Sequence, residues 1–235
     1  MTAFTLKIIA FISMFADHLA ITLPDTFPFW FRAIGRMAWP IFAYLLAEGF
    51  RHTKSSEKFL LRLFAFALIS QIPYAIAMGN PISFTANTNI FYTLFLGGTA
   101  ITLYERFKTK YNSPTIALLG ALFPATLLAE ILTTDHGGMG VFFIFAMYAI
   151  KHRHLRLVAM GGFTLIQFLP LIPAHFAGVN IRLEYLLAIP FALAAIPLIT
   201  QYNGKRGLQI KHLFYWAYPA HLTILAIITT ILTSG

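Results

Sequence analysis

Apolar runs of about twenty residues recur along the whole chain, and they decide what it can fold into. Twenty residues of helix rise about 30 Å, the thickness of a bilayer's hydrocarbon core. In lipid the backbone finds no water to bond. Such a run must therefore satisfy its own N–H and C=O groups, and it does so as a helix. Candidate spans fall at 4–23, 29–50, 58–78, 89–105, 114–133, 139–150, 156–173, 183–200 and 211–232. The expectation is an all-α, polytopic membrane bundle of about nine transmembrane helices, forming a single transmembrane domain over residues 1–235. The sixth run is the shortest, so either a tilted span or a re-entrant segment fits it. Composition agrees: 11% of residues are charged, 58% are hydrophobic, and the mean hydropathy is +0.73. A soluble domain is about 25% charged and needs that polar shell. Asp17 and His18 interrupt the first run and no small-residue cleavage site follows, so it is expected to stay as the first membrane helix.

Basic residues set the orientation. With the N-terminus inside, the inner segments hold Lys7, Arg51, Lys54, Lys58, Arg62, Arg106, Lys108, Lys110, Lys151, Arg153, Arg156, Lys205, Arg206 and Lys211, fourteen of the 17 Lys and Arg. Only Arg32, Arg36 and Arg182 fall on the outer half. That imbalance predicts a cytoplasmic N-terminus and an external C-terminus. It also accounts for the net charge of +9 without nucleic acid, because no basic helix with interleaved aromatics is present. Cysteine is absent, which excludes disulfides, a thiol nucleophile and thiolate metal sites. No two histidines stand at i, i+4, and no metal is expected.

Ionisable side chains at membrane depth are costly, roughly 2.5–3.5 kcal/mol each on insertion scales, and so each needs a reason. His18 lies eleven residues past Lys7, about 16 Å along the first helix. Asp17 is its neighbour, and adjacent helical residues point about 100° apart, so the two serve different partners. Arg32 and Arg36 are i, i+4 on one face and enter from the same side as Asp17. A carboxylate or an anionic ligand would relieve their repulsion, and Arg36, the deeper one, is expected to meet Asp17. Glu48, Arg51 and His52 stand at i, i+3 and i+4 near the inner end of the second span. They read either as an ordinary charged helix end or as contacts for a polar cytosolic ligand. His221 is ten residues past Lys211, with Tyr218 one turn before it. The pair reads as a proton-transfer couple or as a packed polar histidine. Glu130, Asp135, His136, His175, Arg182 and Glu184 gather at the outer rim, where solvated charges are the ordinary case. These residues fit an enzyme working across the membrane, and they fit a small transporter nearly as well.

Specific strings go further. The segment from Leu6 to Asp17-His18 resembles the opening of the TraX family of conjugal-transfer proteins. So does the block from Arg32-Ala-Ile-Gly-Arg36 through Trp39-Pro40 to Glu48-Gly49-Phe50-Arg51-His52-Thr53. Gln71-Ile-Pro73-Tyr74, Asn89-Ile-Phe, Asp135-His-Gly-Gly-Met-Gly140-Val and Phe214-Tyr215-Trp-Ala-Tyr218-Pro219-Ala-His221 continue the likeness to the end of the chain. The resemblance implies a pilin acetylase of the bacterial inner membrane, akin to the wider membrane-bound acyltransferases. It implies acetyl-CoA as donor on the basic inner side, its phosphates suited to Lys and Arg of the inner loops with Arg51 and His52 as candidates and Glu48 in the same cofactor-binding group, and no metal. It implies catalytic roles for His18, Asp17, Arg36, Arg32, His221 and Tyr218: His18 as general base, an arginine at the oxyanion, and His221 with Tyr218 as a second proton-transfer group. The acceptor amine or hydroxyl would be a pilin N-terminus or another envelope molecule. The rival readings are a transporter using the same buried charges, a non-catalytic assembly factor, and an acetyltransferase acting on an envelope glycan or lipid.

Overall fold

A computed structural model describes residues 1–169, 183–210 and 212–233. Among them there is helix and no strand. The helices are α1 (Ala3–Thr22), α2 (Trp30–Gly35), α3 (Ala38–His52), α4 (Ser56–Ala77), α5 (Ile90–Tyr111) and α6 (Pro114–Ile131). They continue with α7 (Gly137–Ala149), α8 (Arg153–Phe168), α9 (Leu183–Leu193), α10 (Ala195–Thr200) and α11 (Leu213–Thr233). Each expected span has its helical counterpart among the described residues. By length and composition, α1, α4, α6 and α11 are four helices able to cross a membrane. They mark a membrane protein.

Two expected spans are broken, and the same residue type breaks both. The run 29–50 divides into α2 and α3, and 183–200 into α9 and α10. Pro40 is the third residue of α3 and Pro197 the third of α10. A proline has no N–H for the carbonyl four residues back, and its ring collides with that carbonyl. The carbonyls in question belong to Arg36 and Leu193, where the preceding helices stop. Other ends follow local signals. Ser55, Asn89 and Ser113 cap α4, α5 and α6 with side-chain oxygens that accept backbone N–H groups. Asn112 closes α5 in the left-handed region at φ 46°.

The chain forms two compact units. The first comprises Met1–Leu45 and Lys151–Phe214; the second comprises Leu46–Ile150 and the segment from Tyr215 onward. In the first unit α2 packs on α1 and on α9, and α9 also packs on α8. In the second, α5 is the hub for α4, α6 and α7. Its small residues allow this closeness: a Cβ on Gly97 would lie 2.7 Å from Ile144 Cδ1, and one on Gly98 would lie 2.5 Å from Phe50 Cζ. Without a hydrophobic drive between helices in lipid, close backbone approach is a main source of packing energy. Outward faces are apolar instead. Leu119 and Phe123 of α6 are 63% and 65% exposed, and Ile231 of α11 is 65% exposed, as suits contact with acyl chains.

Candidate functional site

In the first unit a carboxylate meets two arginines. Asp17 projects from α1, Arg32 from α2, and Arg36 from the turn that Pro40 imposes after α2. Arg36 Nη2 donates to Asp17 Oδ2 at 2.6 Å, and Arg32 Nε stands 3.4 Å from Asp17 Oδ1. Arg36 Nε also donates to the Arg32 carbonyl at 3.4 Å, tying the turn back to α2. The carboxylate is largely buried, while each arginine keeps about a third of its side chain open. Two positive charges thus flank one negative charge, and the cluster carries a net charge of +1. Gly35 makes the approach possible, since a Cβ there would lie 2.2 Å from Asp17 Cβ. His18, one residue on, is buried on another face of α1, and its carbonyl accepts from Thr22 Oγ1 at 2.8 Å.

In the second unit Glu48, Arg51 and His52 share the last turns of α3. Arg51 Nη1 lies 3.4 Å from Glu48 Oε1, and His52 Nε2 lies 3.8 Å from Glu48 Oε2. Arg51 does more than pair with Glu48. Its Nη2 donates to the carbonyls of Met147 (3.1 Å), Ile150 (2.9 Å) and Tyr148, the last residues of α7 and the one after it. The guanidinium also sits 5.6 Å from the Tyr148 ring centre. A helix end has carbonyls without intrahelical partners, and Arg51 supplies donors for them. Spacing along α3 gives no hint of this use, because the acceptors lie about a hundred residues away.

Tyr218 and His221 are both buried on α11 with ring centroids 5.3 Å apart. His221 Nδ1 is 3.0 Å from the Ala217 carbonyl, which can only accept. Nδ1 therefore carries the proton, and in the neutral ring Nε2 bears the lone pair. Tyr218 stands edge-on to Phe91 of α5, centroids 5.1 Å apart at 87°. Of the rim residues, Glu130 anchors a helix start, where its Oε1 accepts from Gly138 N at 2.7 Å in the first turn of α7. Arg182 and His175 lie outside the described residues, as does the side chain of Glu184.

Sequence reasoning passed over a polar knot in the second unit. Gln71 and Asn89 are both fully buried. Gln71 Oε1 accepts from Asn89 N (3.0 Å) and Nδ2 (2.8 Å), while Gln71 Nε2 donates to the Asn87 carbonyl at 3.1 Å. Asn89 Nδ2 also donates to the Ala67 carbonyl at 2.8 Å, and its Oδ1 accepts from Phe91 N at 3.0 Å. A short parallel bridge between Thr88 and Thr134 joins this loop to the one carrying Asp135. The signal was present in Gln71, an amide in an otherwise apolar stretch, whereas Asn89 ends a polar loop and carries no such mark.

A family model described as TraX protein matches residues 3–229. A curated relative, the probable fimbrial assembly protein FimC, serogroup H1, of Dichelobacter nodosus, is 26% identical over 249 residues. That alignment covers 95% of this chain and 94% of the relative. No solved structure matches.

Proposed function

Because this chain belongs to the TraX family, we propose that it is a membrane-embedded acetyltransferase acting on a fimbrial or pilin subunit, or on another envelope molecule. Acetyl-CoA is the donor on the cytoplasmic side, and an amine or hydroxyl on the outer side is the acceptor. The observation that carries this reading is the cluster of Asp17, Arg32 and Arg36 beside buried His18. Ionisable groups at that depth are expensive, and a net positive charge there suits a developing oxyanion.

His18 takes the proton from the acceptor nitrogen or oxygen as that atom attacks the thioester carbonyl. The carbonyl oxygen becomes an oxyanion, and Arg32, the arginine more loosely held by Asp17, stabilises it. The C–S bond then breaks, the acetyl group stays on the acceptor, and the proton leaves with the thiolate as coenzyme A. Asp17 and Arg36 hold Arg32 and the α1–α2 contact in place. His221, with Nε2 as a proton acceptor and Tyr218 beside it, serves the second proton transfer. Glu48 and His52 are the donor-side group on α3, and Arg51 holds that turn against the end of α7.

The test is transfer of labelled acetyl from acetyl-CoA by the purified protein in detergent, with His18→Ala alongside. Turnover is expected in the parent and lost in the variant, with insertion and fold unchanged. A fully active His18→Ala would sink the mechanism. One observation favours a transporter instead. The proline breaks between α2 and α3 and between α9 and α10 place irregular backbone inside apolar runs, a habit of transport proteins. Absence of any coenzyme A binding would select that reading.

A further inference from the structure

The arginines that flank Asp17 have donors to spare. Arg32 reaches Asp17 Oδ1 through Nε alone, at 3.4 Å. Arg36 uses Nη2 for Asp17 Oδ2 and Nε for the Arg32 carbonyl. Among the described residues, Nη1 and Nη2 of Arg32 and Nη1 of Arg36 have no acceptor. The two side chains keep 34% and 33% of their surface open, so these nitrogens are within reach of a ligand. A guanidinium is a planar fork that matches a carboxylate or a phosphate with two donors at once. Arg32 turns its Nε to Asp17, and the two-nitrogen end of its fork is left for another anion.

Charge points the same way. The first unit contains ten Lys and Arg but only three Asp and Glu, namely Asp17, Asp25 and Glu184. Seven of the ten cations fall in segments whose sign the inward preference for basic residues explains. Arg32 and Arg36 do not, and the carboxylate they touch is one charge shared between two. An amine acceptor arrives near neutral pH mostly as a cation, and here it meets like charge. A hydroxyl acceptor arrives neutral, and a negative group beside it is drawn in.

We propose that this cluster selects the acceptor, and that the acceptor is a hydroxyl compound carrying a carboxylate or a phosphate, the chemistry of an acidic sugar. Its anionic group sits on the open nitrogens of Arg32 and Arg36. This rests on the acetyltransferase reading above and narrows its acceptor. The hydroxyl oxygen bonds to the acetyl carbon, the C–S bond breaks, and the hydroxyl proton passes by way of His18 to the thiolate. Arg32 has nitrogens for both tasks, one Nη for the oxyanion and the other for the acceptor. An anionic lipid headgroup offers the fork the same chemistry.

The experiment measures kcat/KM for transfer of labelled acetyl from acetyl-CoA by the detergent-purified protein and by Arg32→Gln. The acceptors are D-glucuronate, glucose 6-phosphate, D-glucose and glycylglycinamide, so that carboxylate, phosphate, neutral hydroxyl and amine are compared. Bound phosphatidic acid, an anionic headgroup without a hydroxyl, is counted on both proteins after reconstitution in phosphatidylcholine vesicles containing it. The expected result is that at least one acidic sugar exceeds glucose and the amine by about tenfold or more in the parent. The ratio of acidic sugar to glucose then falls toward one in Arg32→Gln, whatever becomes of the rate itself. An arginine that only braces the fold would slow both sugars alike and leave the ratio where it was, and that result overturns the inference. The parent's ranking needs no variant, so it decides even where Arg32→Gln does not fold. Equal rates on glucose and both acidic sugars, or faster transfer to glycylglycinamide, overturn the inference and leave the acetyltransferase standing. So does phosphatidic acid held by the parent and lost from the variant without any preference among the sugars, which gives the fork to lipid. Acetyl-CoA binding with none of the acceptors acetylated overturns it too. A parent that binds no coenzyme A removes both this inference and the acetyltransferase reading.

Discussion

Arg36 and Arg51 stand fifteen residues apart in the sequence and do opposite things. Arg36 answers a carboxylate, and Arg51 answers the carbonyls at the end of a helix. Their substitutions should therefore fail differently. Asp17→Ala leaves Arg32 and Arg36 facing each other and is expected to cost about 2–4 kcal/mol of stability as well as activity. The double variant D17A/R36A should regain most of that stability in thermal unfolding while staying inactive. A double variant no more stable than Asp17→Ala would make the pair an ordinary packing contact. Arg51→Ala deprives three carbonyls of a charged donor and should cost about 2–3 kcal/mol. The expected readout is a lower Tm and faster amide exchange in the last turn of α7. An unchanged Tm with a raised KM for acetyl-CoA would assign its guanidinium to the donor instead. Gln71→Leu should be as damaging as Arg51→Ala, about 2–3 kcal/mol in chemical unfolding, because Asn89 would then be buried with two donors unanswered.

At the scale of elements, glycine and proline matter more than hydropathy. Pro40 ends one helix at the residue whose side chain reaches Asp17, so the break positions Arg36 as well as bending the chain. Gly35 sets how near α2 comes to α1. Gly35→Ala adds a methyl group where only 2.2 Å is available, and the two helices must part. The helices themselves are kept, so under the proposed mechanism acetyl transfer should fall by about tenfold or more with the far-ultraviolet circular dichroism of the parent. Parent-like turnover would mean that the Asp17–Arg36 contact is dispensable.

The whole molecule is tied together by what lipid forbids. Apolar faces look outward from α4, α6 and α11, and polar side chains are gathered into clusters and knots. The lopsided distribution of lysine and arginine predicts that the loop between α3 and α4 is cytoplasmic and the loop between α4 and α5 external. The chain has no cysteine, so single cysteines report without a background. In intact cells a membrane-impermeant maleimide should label Asn80→Cys and spare Lys54→Cys until the membrane is opened. The reverse pattern would invert the bundle, and labelling of both from one side would remove a span.

Some of this follows from the chain alone and some does not, and the difference is one of range. Helix, membrane residence and the places where helices begin and end are local matters. They rest on apolar run length, on capping residues such as Ser55 and Asn89, and on prolines that act on a carbonyl four residues away. Each signal is complete within a few neighbours, so it can be read in order along the chain. The same holds for the need of Asp17 and Arg36 for partners, since a buried charge is costly wherever it stands. Which partner meets which charge is not local. The Arg51 clamp on α7, the meeting of Gln71 with Asn89, and the bonds from Ala3 N and Phe4 N of α1 to the carbonyls of Lys205 and Arg206 join segments about 20 to 200 residues apart. Backbone carbonyls and N–H groups supply most of the partners in these contacts, and nearly every residue type carries them alike. No residue pattern marks the acceptor, so only the packing of the helices could choose it.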